Sequence, residues 1–259
     1  MKTAIALLLL SCFLAASHAL RCSRGPSLSQ IKQIDAGHGF VVAVDRHDRP
    51  YMLSGNRWTS LGSVRLRHVS VGRAGIWGIG KTNKVYKLVG GQFLAARGVT
   101  MKMVAAGGDD FLLGIRASNS RSYCLISSRT QGFQGGTSLR WTSKSSKIAQ
   151  ASCGTNFCWG ISSSGKPHVL SRITSRNCRS SRWERVSGAL KMVKVGEDRS
   201  VFGLTANGQV HERIGITSGR PKGTRWRRQG VNTVIKTLAY DLGKVWLVSK
   251  AGVLMTCTR

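Results

Sequence analysis

Apolar and polar residues alternate along short stretches of the chain, and glycines separate these stretches. The segment 64–88 shows the pattern clearly, because valines alternate with polar neighbours before Gly72. Two more apolar runs follow at 76–79 and 85–88, each after a tight turn. Alternation with a period of two, bounded by glycine and asparagine, predicts β-strands joined as hairpins. A three-stranded unit of this size cannot bury its apolar face alone, which predicts further copies.

The same unit recurs six times. Glycines end the predicted first strand of five copies, at Gly37, Gly72, Gly107, Gly154 and Gly196. Second strands are predicted at 41–44, 76–79, 112–115, 158–161, 201–204 and 245–248. Third strands are predicted at Tyr51, Tyr86, Tyr123, His168, Val210 and Leu254. An aromatic residue opens a predicted fourth strand at Trp58, Phe93, Trp141, Trp183 and Trp226. Six copies of four short strands predict an all-β fold, namely a six-bladed β-propeller.

The fourth strand of the sixth copy is missing, because the sequence ends after that copy's third strand. The segment 20–27 is predicted to supply it and to close the ring by pairing with the last blade. Cys22 and Cys257 would then lie on neighbouring strands, where a disulfide is expected.

Residues 1–19 have the features of a secretory signal peptide. Lys2 is followed by an apolar run at 4–16 and by small residues near position 19. We therefore expect an exported protein whose residues 20–259 form a single domain. No later stretch approaches the length of about 18 apolar residues that a membrane-spanning helix needs.

Six cysteines remain after position 19, an even number that predicts three disulfides in an oxidising compartment. Cys22–Cys257 follows from ring closure. Cys153 and Cys158 flank a four-residue turn and are expected to link a hairpin. Cys124–Cys178 is paired by elimination. The spacing of the cysteines does not suit a zinc site.

The sequence is strongly basic, with 40 Lys and Arg against 10 Asp and Glu and a formal net charge of +30. Such a surface attracts polyanions through a salt-screened field. In a propeller, the turns between second and third strands share one face, and in five of the six copies these turns are cationic. Candidate carbohydrate- or anion-binding residues there are Arg46, Arg49, Lys81, Asn83, Lys84, Arg116, Arg121, Lys166 and Lys250.

The other face is predicted to combine acidic turns with a basic rim. Long loops between third and fourth strands in copies three to five carry arginines such as Arg172 and Arg176. The turns between first and second strands hold half of the acidic residues, around the mouth of the central channel. Two interpretations of these acids remain open: they bind sugar hydroxyls or, weakly, calcium, or they cap turns and pair with arginines. The candidates are Asp109, Asp110, Asp198 and Asp241, with Glu197 beside them.

Catalytic and cofactor motifs are absent from the sequence. It contains no nucleophile elbow, no phosphate-binding loop and no dinucleotide fingerprint. Trp77, Trp159 and Trp246 recur in one register of the second strands and are predicted to form core between blades. These features predict a protein that is not an enzyme and that needs no metal or cofactor.

Several motifs resemble those of the fish-egg lectins of the tectonin family. They are spread over essentially all of the chain after position 19 and include LSQIKQIDAG at 28–37, VSVGRAGIWGI at 69–79, SCGTNFCWGI at 152–161 and YDLGKVWLVS at 240–249. The resemblance implies a secreted, non-enzymatic six-bladed propeller that binds sugars such as N-acetylglucosamine or galactose and bacterial glycans such as lipopolysaccharide. The chain departs from the family in its basic charge and in lacking a cysteine at Gly219, which leaves the partner of Cys178 open.

Two functions are compatible with the sequence. The first is a secreted lectin of innate defence, whose basic surface helps it to recognise microbial glycans. The alternative is a general polyanion-binding or structural protein that holds sulfated glycans or nucleic acid by charge alone, without specific nucleic-acid recognition.

Overall fold

The computed structural model of the protein describes residues 20–258 and contains six antiparallel four-stranded sheets. After β1 (Arg21–Arg24), blade 1 consists of β2 (Ile31–Gly37), β3 (Phe40–Asp45), β4 (Pro50–Ser54) and β5 (Arg57–Ser60). Blade 2 consists of β6 (Leu66–Gly72), β7 (Gly75–Gly80), β8 (Val85–Val89) and β9 (Gln92–Ala95). The short β10 (Arg97–Gly98) precedes blade 3, which consists of β11 (Met101–Ala105), β12 (Leu112–Arg116), β13 (Arg121–Leu125) and β15 (Thr142–Lys147). The predicted signal peptide, 1–19, lies outside the described residues.

Blades 4 to 6 repeat the same order. Blade 4 consists of β16 (Gln150–Cys153), β17 (Phe157–Ile161), β18 (Pro167–Ser171) and β19 (Glu184–Arg185). Blade 5 consists of β20 (Met192–Val195), β21 (Val201–Leu204), β22 (Val210–Ile214) and β23 (Arg225–Arg228). Blade 6 consists of β24 (Ile235–Asp241), β25 (Lys244–Ser249), β26 (Leu254–Thr258) and, from the other end of the chain, β1. The predicted six-bladed, four-stranded architecture is confirmed.

The ring closes where the two ends of the described chain meet. β1 pairs antiparallel with β26, and Cys22 lies directly opposite Cys257. A disulfide joins these two residues, and two more join Cys153 to Cys158 and Cys124 to Cys178. The first strand is shorter than the predicted segment 20–27, because pairing ends at Arg24.

The first strands of the blades form a closed inner ring, since each contacts the first strands of both neighbouring blades. One side chain per strand strengthens several of these contacts. Gln33 exchanges two hydrogen bonds with the backbone of Val69, and Gln150 makes the equivalent pair with blade 5. At the same position in blade 2, His68 Nε2 lies 2.7 Å from the carbonyl oxygen of Val104.

The hydrophobic core lies between adjacent blades. Trp77 and Trp159 are fully buried and Trp246 is almost so. Each packs in a cluster that joins two blades, for example Trp159 of blade 4 with Val193 and Val201 of blade 5. The predicted core role of these tryptophans is therefore confirmed.

The long loop of blade 3 contains structure that the repeat does not predict. A helix of five residues, α1 (Ser127–Gln131), follows β13, and β14 (Ser138–Leu139) pairs in parallel with β10. Lys87 holds the helix by donating a hydrogen bond of 2.5 Å to the carbonyl oxygen of Thr130. Trp141 and Trp183, which were expected to open outer strands, each precede theirs by one residue. Across residues 20–258, no helix has the length and apolar character needed to span a membrane.

The inner ring makes stability sensitive to acid through His68. Desolvation between the first strands lowers the pKa of His68 from 6.5 to about 4. The folded state therefore resists protonation, and stability present above pH 6.5 is lost as the pH falls towards 4, by about 1.4 kcal/mol per pH unit. His68→Gln should flatten this decline, because glutamine serves at the equivalent position in blades 1 and 4.

Urea unfolding at a series of pH values measures the effect. The exposed His47 provides the control, since His47→Gln should leave the acid slope unchanged. Identical slopes for wild type and His68→Gln would contradict the assignment.

Candidate functional site: a basic face and a cleft between blades

The turns between second and third strands lie on one side of the ring, which we call the basic face. In each of the six turns one residue has a positive φ angle: Asp48, Asn83, Ser120, Gly165, Gly208 and Gly252. In five blades the carbonyl oxygen of that residue accepts a hydrogen bond from the backbone N–H near the start of the next blade's first strand. The left-handed conformation therefore turns the chain and links neighbouring blades, and glycine or a short polar residue suits it.

Two of the predicted binding residues on this face have structural contacts. The side-chain oxygen of Asn83 accepts a hydrogen bond from Arg67. Arg49 forms a 2.6 Å ion pair with the buried Asp45. Burial opposes ionisation of Asp45, but hydrogen bonds from Arg49 and from the His47 backbone outweigh it and lower the pKa of Asp45.

The other predicted cations leave positive charge at the surface of the basic face. Arg116 lies over the ring of Tyr123, with 5.8 Å between the guanidinium carbon and the ring centre. Lys166 is half-buried, and the exposed members are Arg46, Lys81, Lys84, Arg121 and Lys250. The turn of blade 5 carries no cation. The face is thus basic around most of its circumference.

The acidic turns lie on the opposite face and are held by local contacts. Asp198 accepts hydrogen bonds from the backbone and hydroxyl of Ser200 and from the hydroxyl of Tyr240. Glu197 lies 3.4 Å from the His38 ring nitrogen of another blade. These contacts match the interpretation in which the acids cap turns and pair with basic groups.

Of two further acids in these turns, Asp109 contacts a basic group through its carboxylate and Asp110 contacts a neighbour through its backbone. Asp109 lies 3.6 Å from Arg73, and the backbone carbonyl of Asp110 accepts the hydroxyl of Thr130. Among residues 20–258, no group of three or more His, Cys, Asp or Glu side chains is arranged to hold a metal ion.

Asp241 differs from the other acids of these turns because it is buried. It is the last residue of β24, at the position that glycine occupies in the other five copies. One carboxylate oxygen accepts the N–H of Gly39 at 2.8 Å, and the other is buried with no hydrogen-bond partner in the structure. Burial raises the pKa of Asp241, and the negative charges of Glu197 and Asp198 raise it further.

A cleft of about 440 Å³ opens between blades 4 and 5 on the opposite face. We call it the blade 4–5 cleft. The loops after β16, β18, β20 and β22 build its walls, so it lies within the predicted basic rim sector. Its charged groups are Arg172, Arg199, Arg220, Lys222 and Glu184, and its other lining residues include Phe157, Ser171, Ser181, Ile216, Thr217 and Pro221.

The charges of the blade 4–5 cleft are only partly neutralised. Lys222 forms a 2.6 Å ion pair with Glu184 across the cleft. Arg172 and Arg199 have φ angles of 57° and 68°, in the left-handed region that residues other than glycine rarely adopt. Arg220 is exposed on the far wall. Three guanidinium groups therefore surround a polar space with hydroxyl groups and an apolar patch.

The wall of the cleft on blade 5 rests on Arg213. This side chain is buried and lies over the rings of Trp226 and Trp159, at 5.3 Å and 5.9 Å. Its Nε donates a 2.7 Å hydrogen bond to the carbonyl oxygen of Lys222. Burial lowers the pKa of Arg213. A cation held between two rings thus fixes the loop that carries Arg220 and Lys222.

Comparison with known proteins identifies the family of this propeller. A family model described as the tectonin domain matches residues 30–250. The chain belongs to the tectonin family. This tectonin-family chain is 33% identical over 233 residues to the fish-egg lectin of Cyprinus carpio, with 88% of this chain and 94% of that protein covered.

The tectonin propeller is also similar to solved structures with very different sequences. Prp20p from Saccharomyces cerevisiae superposes with a TM-score of 0.58 at 8% identity, covering 93% of this chain and 81% of Prp20p. Human WBSCR16 gives 0.58 at 13% identity, covering 89% and 72%. Virginiamycin B lyase from Staphylococcus aureus gives 0.56 at 10% identity, covering 93% and 99%. At these identities the similarity shows the fold alone.

The structure divides the predicted site residues of this tectonin-family chain between two faces. The turn cations share the basic face, while Asp109, Asp110, Asp198 and Asp241 lie on the other. The loops predicted to form the rim sector include Arg172, Arg220 and Lys222, but the sequence did not predict that they face one another across a cleft, and Arg199 was missed. The available signal was the arginine-rich loops of two consecutive copies, which become opposite walls of one cleft.

Asp241 provides a test of the acidic turns in the tectonin propeller. Asp241→Asn keeps an oxygen for Gly39 and removes a charge that burial disfavours. Because the pKa of Asp241 is raised, its ionisation lowers stability as the pH rises through that pKa. The variant should therefore be more stable than wild type at pH 7, by about 1 kcal/mol, and the gain should vanish below the ordinary pKa of 3.8.

Thermal unfolding at both pH values measures this gain. Asp109→Asn is the control, because Asp109 is half-exposed and close to Arg73, and no such gain is expected from it. A less stable Asp241→Asn protein at pH 7 would contradict the interpretation.

Proposed function

We propose that this protein is a secreted lectin that recognises glycans on microbial surfaces, including lipopolysaccharide and glycans that contain N-acetylglucosamine or galactose. The observation that carries this proposal is the relation to fish-egg lectin over 94% of that protein. A match of this extent includes all six blades, so both proteins use the same scaffold. The blade 4–5 cleft supplies a place of suitable size, since small-molecule sites commonly enclose about 300–1,000 Å³.

The chemistry of the blade 4–5 cleft suits an acidic sugar. Phe157, Ile216 and Pro221 offer apolar surface to a sugar ring. The hydroxyl groups of Ser181 and Thr217 are donors and acceptors of the kind that sugar hydroxyls need. Guanidinium groups bind carboxylate and phosphate through paired hydrogen bonds. The cleft thus combines recognition of the sugar ring with recognition of its anionic substituent.

An extracellular location fits the cysteine chemistry. Three disulfides join all six cysteines in the described part of the chain. Disulfides persist in oxidising compartments and are rare in the cytosol. Together with the predicted signal peptide at 1–19, they support secretion. We further propose that the protein acts by binding alone and is not an enzyme.

The formal net charge of +30 favours a second candidate function, general polyanion binding. A purely electrostatic binder shows steep salt dependence and no preference among sugars. Competition at constant ionic strength separates the two functions. Displacement from lipopolysaccharide by free N-acetylglucosamine or galactose supports the lectin, whereas displacement by heparin alone supports the polyanion binder.

The cleft can be tested directly by removing two of its charges. Arg172→Gln combined with Arg220→Gln should weaken binding to immobilised lipopolysaccharide at least tenfold, since a hydrogen bond to a charged group contributes about 1.5–3 kcal/mol. Surface plasmon resonance at two salt concentrations measures the change.

The matched control is Arg57→Gln combined with Arg140→Gln. It removes two exposed arginines that lie outside the cleft. This control should change affinity less than threefold. Equal losses in the two double variants would exclude the cleft as the site, and absence of glycan binding by the wild type would overturn the lectin proposal.

A further inference from the structure

The first strands carry a second set of cations that the turn sequences do not reveal. One equivalent position, second in the inner strand of blades 1, 2, 3 and 6 and directly before the inner strand of blades 4 and 5, is basic in five of the six blades. The members of this set, which we call the channel cations, are Lys32, Arg67, Lys102, Lys191 and Lys236. They belong to blades 5, 6, 1, 2 and 3, which are consecutive around the ring. Blade 4 interrupts the arc with Ala149.

The channel cations lie at the basic-face mouth of the central channel. Each inner strand begins opposite the end of the second strand of its own blade, as Ile31 pairs with Asp45 and Leu66 pairs with Gly80. The inner strands therefore start on the side where the basic turns emerge. Because these strands form the innermost ring, their first residues surround the axis.

A β-bulge presents these side chains. In blades 1, 2, 3 and 6 the strand register shifts at the channel cation, which is left without a partner on the second strand. In blade 5, the N–H of Lys191 bonds to the carbonyl of Leu204, the residue that also pairs with Met192. Bulges re-aim side chains and occur next to functional sites. The repeated bulge thus leaves one basic residue in each of these blades outside the regular strand pairing.

Contacts between blades bring these charges close together. Arg67 donates a hydrogen bond to the carbonyl of Lys102 at 3.2 Å. Lys236 donates one to the carbonyl of Ile31, beside Lys32, also at 3.2 Å. Burial and the charge of Arg67 both lower the pKa of Lys102. The arrangement therefore concentrates like charge that an anion would stabilise.

Little negative charge offsets this arc. Of the ten acidic residues, Asp45 at the end of β3 and Asp48 in the turn that follows lie on the basic face, and both belong to blade 1. Asp48 pairs with Lys32 at 2.7 Å, and Asp45 pairs with Arg49. Farther along the inner strands, Asp35 of blade 1 and Lys194 of blade 5 form a buried 2.5 Å ion pair between non-adjacent blades. Because its partners come from non-adjacent blades, this pair spans part of the channel beneath the mouth.

We propose that this mouth binds a compact cluster of phosphate or sulfate groups carried on a saccharide. Four or five ammonium and guanidinium groups on one arc match several oxyanions held on one small scaffold, and each charge-assisted hydrogen bond is strong. The proposal deepens the anion-binding part of the proposed function. It also gives the protein a second site, on the face opposite the blade 4–5 cleft, so that one molecule can bridge two glycans.

The test uses myo-inositol hexakisphosphate as a compact probe and isothermal titration calorimetry as the readout. Lys191→Gln combined with Lys236→Gln should weaken binding by about tenfold or more. The matched control, Arg97→Gln combined with Arg228→Gln, removes two exposed cations that lie near the ends of fourth strands on the same face. It should change affinity less than threefold. Thermal unfolding of both variants verifies that the propeller is intact.

A gain-of-function variant makes the test independent of folding defects. Ala149→Lys completes the arc and should tighten binding severalfold. Equal losses in the two double variants, or no gain from Ala149→Lys, would show that the face acts through diffuse charge and would overturn the proposal. Glycan binding that depends on the cleft is measured separately with the Arg172 and Arg220 variants. If the channel cations do not bind the probe, the lectin proposal is unaffected. If the protein does not bind glycans through the cleft, the calorimetric result for the channel mouth still holds.

Discussion

The whole ring depends on the close approach of its inner strands. A Cβ atom at Gly72 would overlap the carbonyl oxygen of Ala106, and one at Gly107 would overlap that of Cys153. The same conflict arises at Gly37 with Val71. At these junctions the blades can converge on the central axis because one strand end offers bare backbone to the next. The glycine is therefore a packing requirement, repeated because the geometry repeats.

The exception at blade 6 shows what the constraint controls. There Asp241 replaces the glycine, and Tyr240 before it packs over Gly196 of blade 5. The Tyr240 ring also lies 4.8 Å from Phe202. Here side chains occupy the space that backbone occupies at the other junctions. The carboxylate of Asp241 is buried as well. The disulfide Cys22–Cys257 joins residues 235 positions apart, and in the chain-entropy model such a link is worth about 5 kcal/mol. The covalent closure thus lies in the blade whose inner strand departs from the glycine pattern.

Features set by local spacing could be predicted from the sequence. The glycine spacing defined the blades, the strand count placed Cys22 beside Cys257, and the register of Trp159 placed it in the core. Features that depend on contacts between distant residues could not be predicted in this way. The ion pair of Asp35 with Lys194 joins positions far apart in sequence, and nothing near either residue indicates the other. The channel cations were missed for a related reason, because a bulge breaks the period of two on which strand prediction relies.

The placement of negative charge explains how so basic a chain forms a compact ring. Seven of its ten acidic residues lie within ion-pair distance of a basic side chain. Four of these pairs involve buried carboxylates, where an unpaired charge would be most costly; the acids are Asp35, Asp45, Asp48 and Glu212. Most of the 40 basic residues have no acidic counterpart, and their mutual repulsion opposes the compact state. A ligand that binds only the folded protein stabilises it. A polyanion bound as proposed would do so while also relieving repulsion, so its binding and the stability of the ring would be thermodynamically coupled.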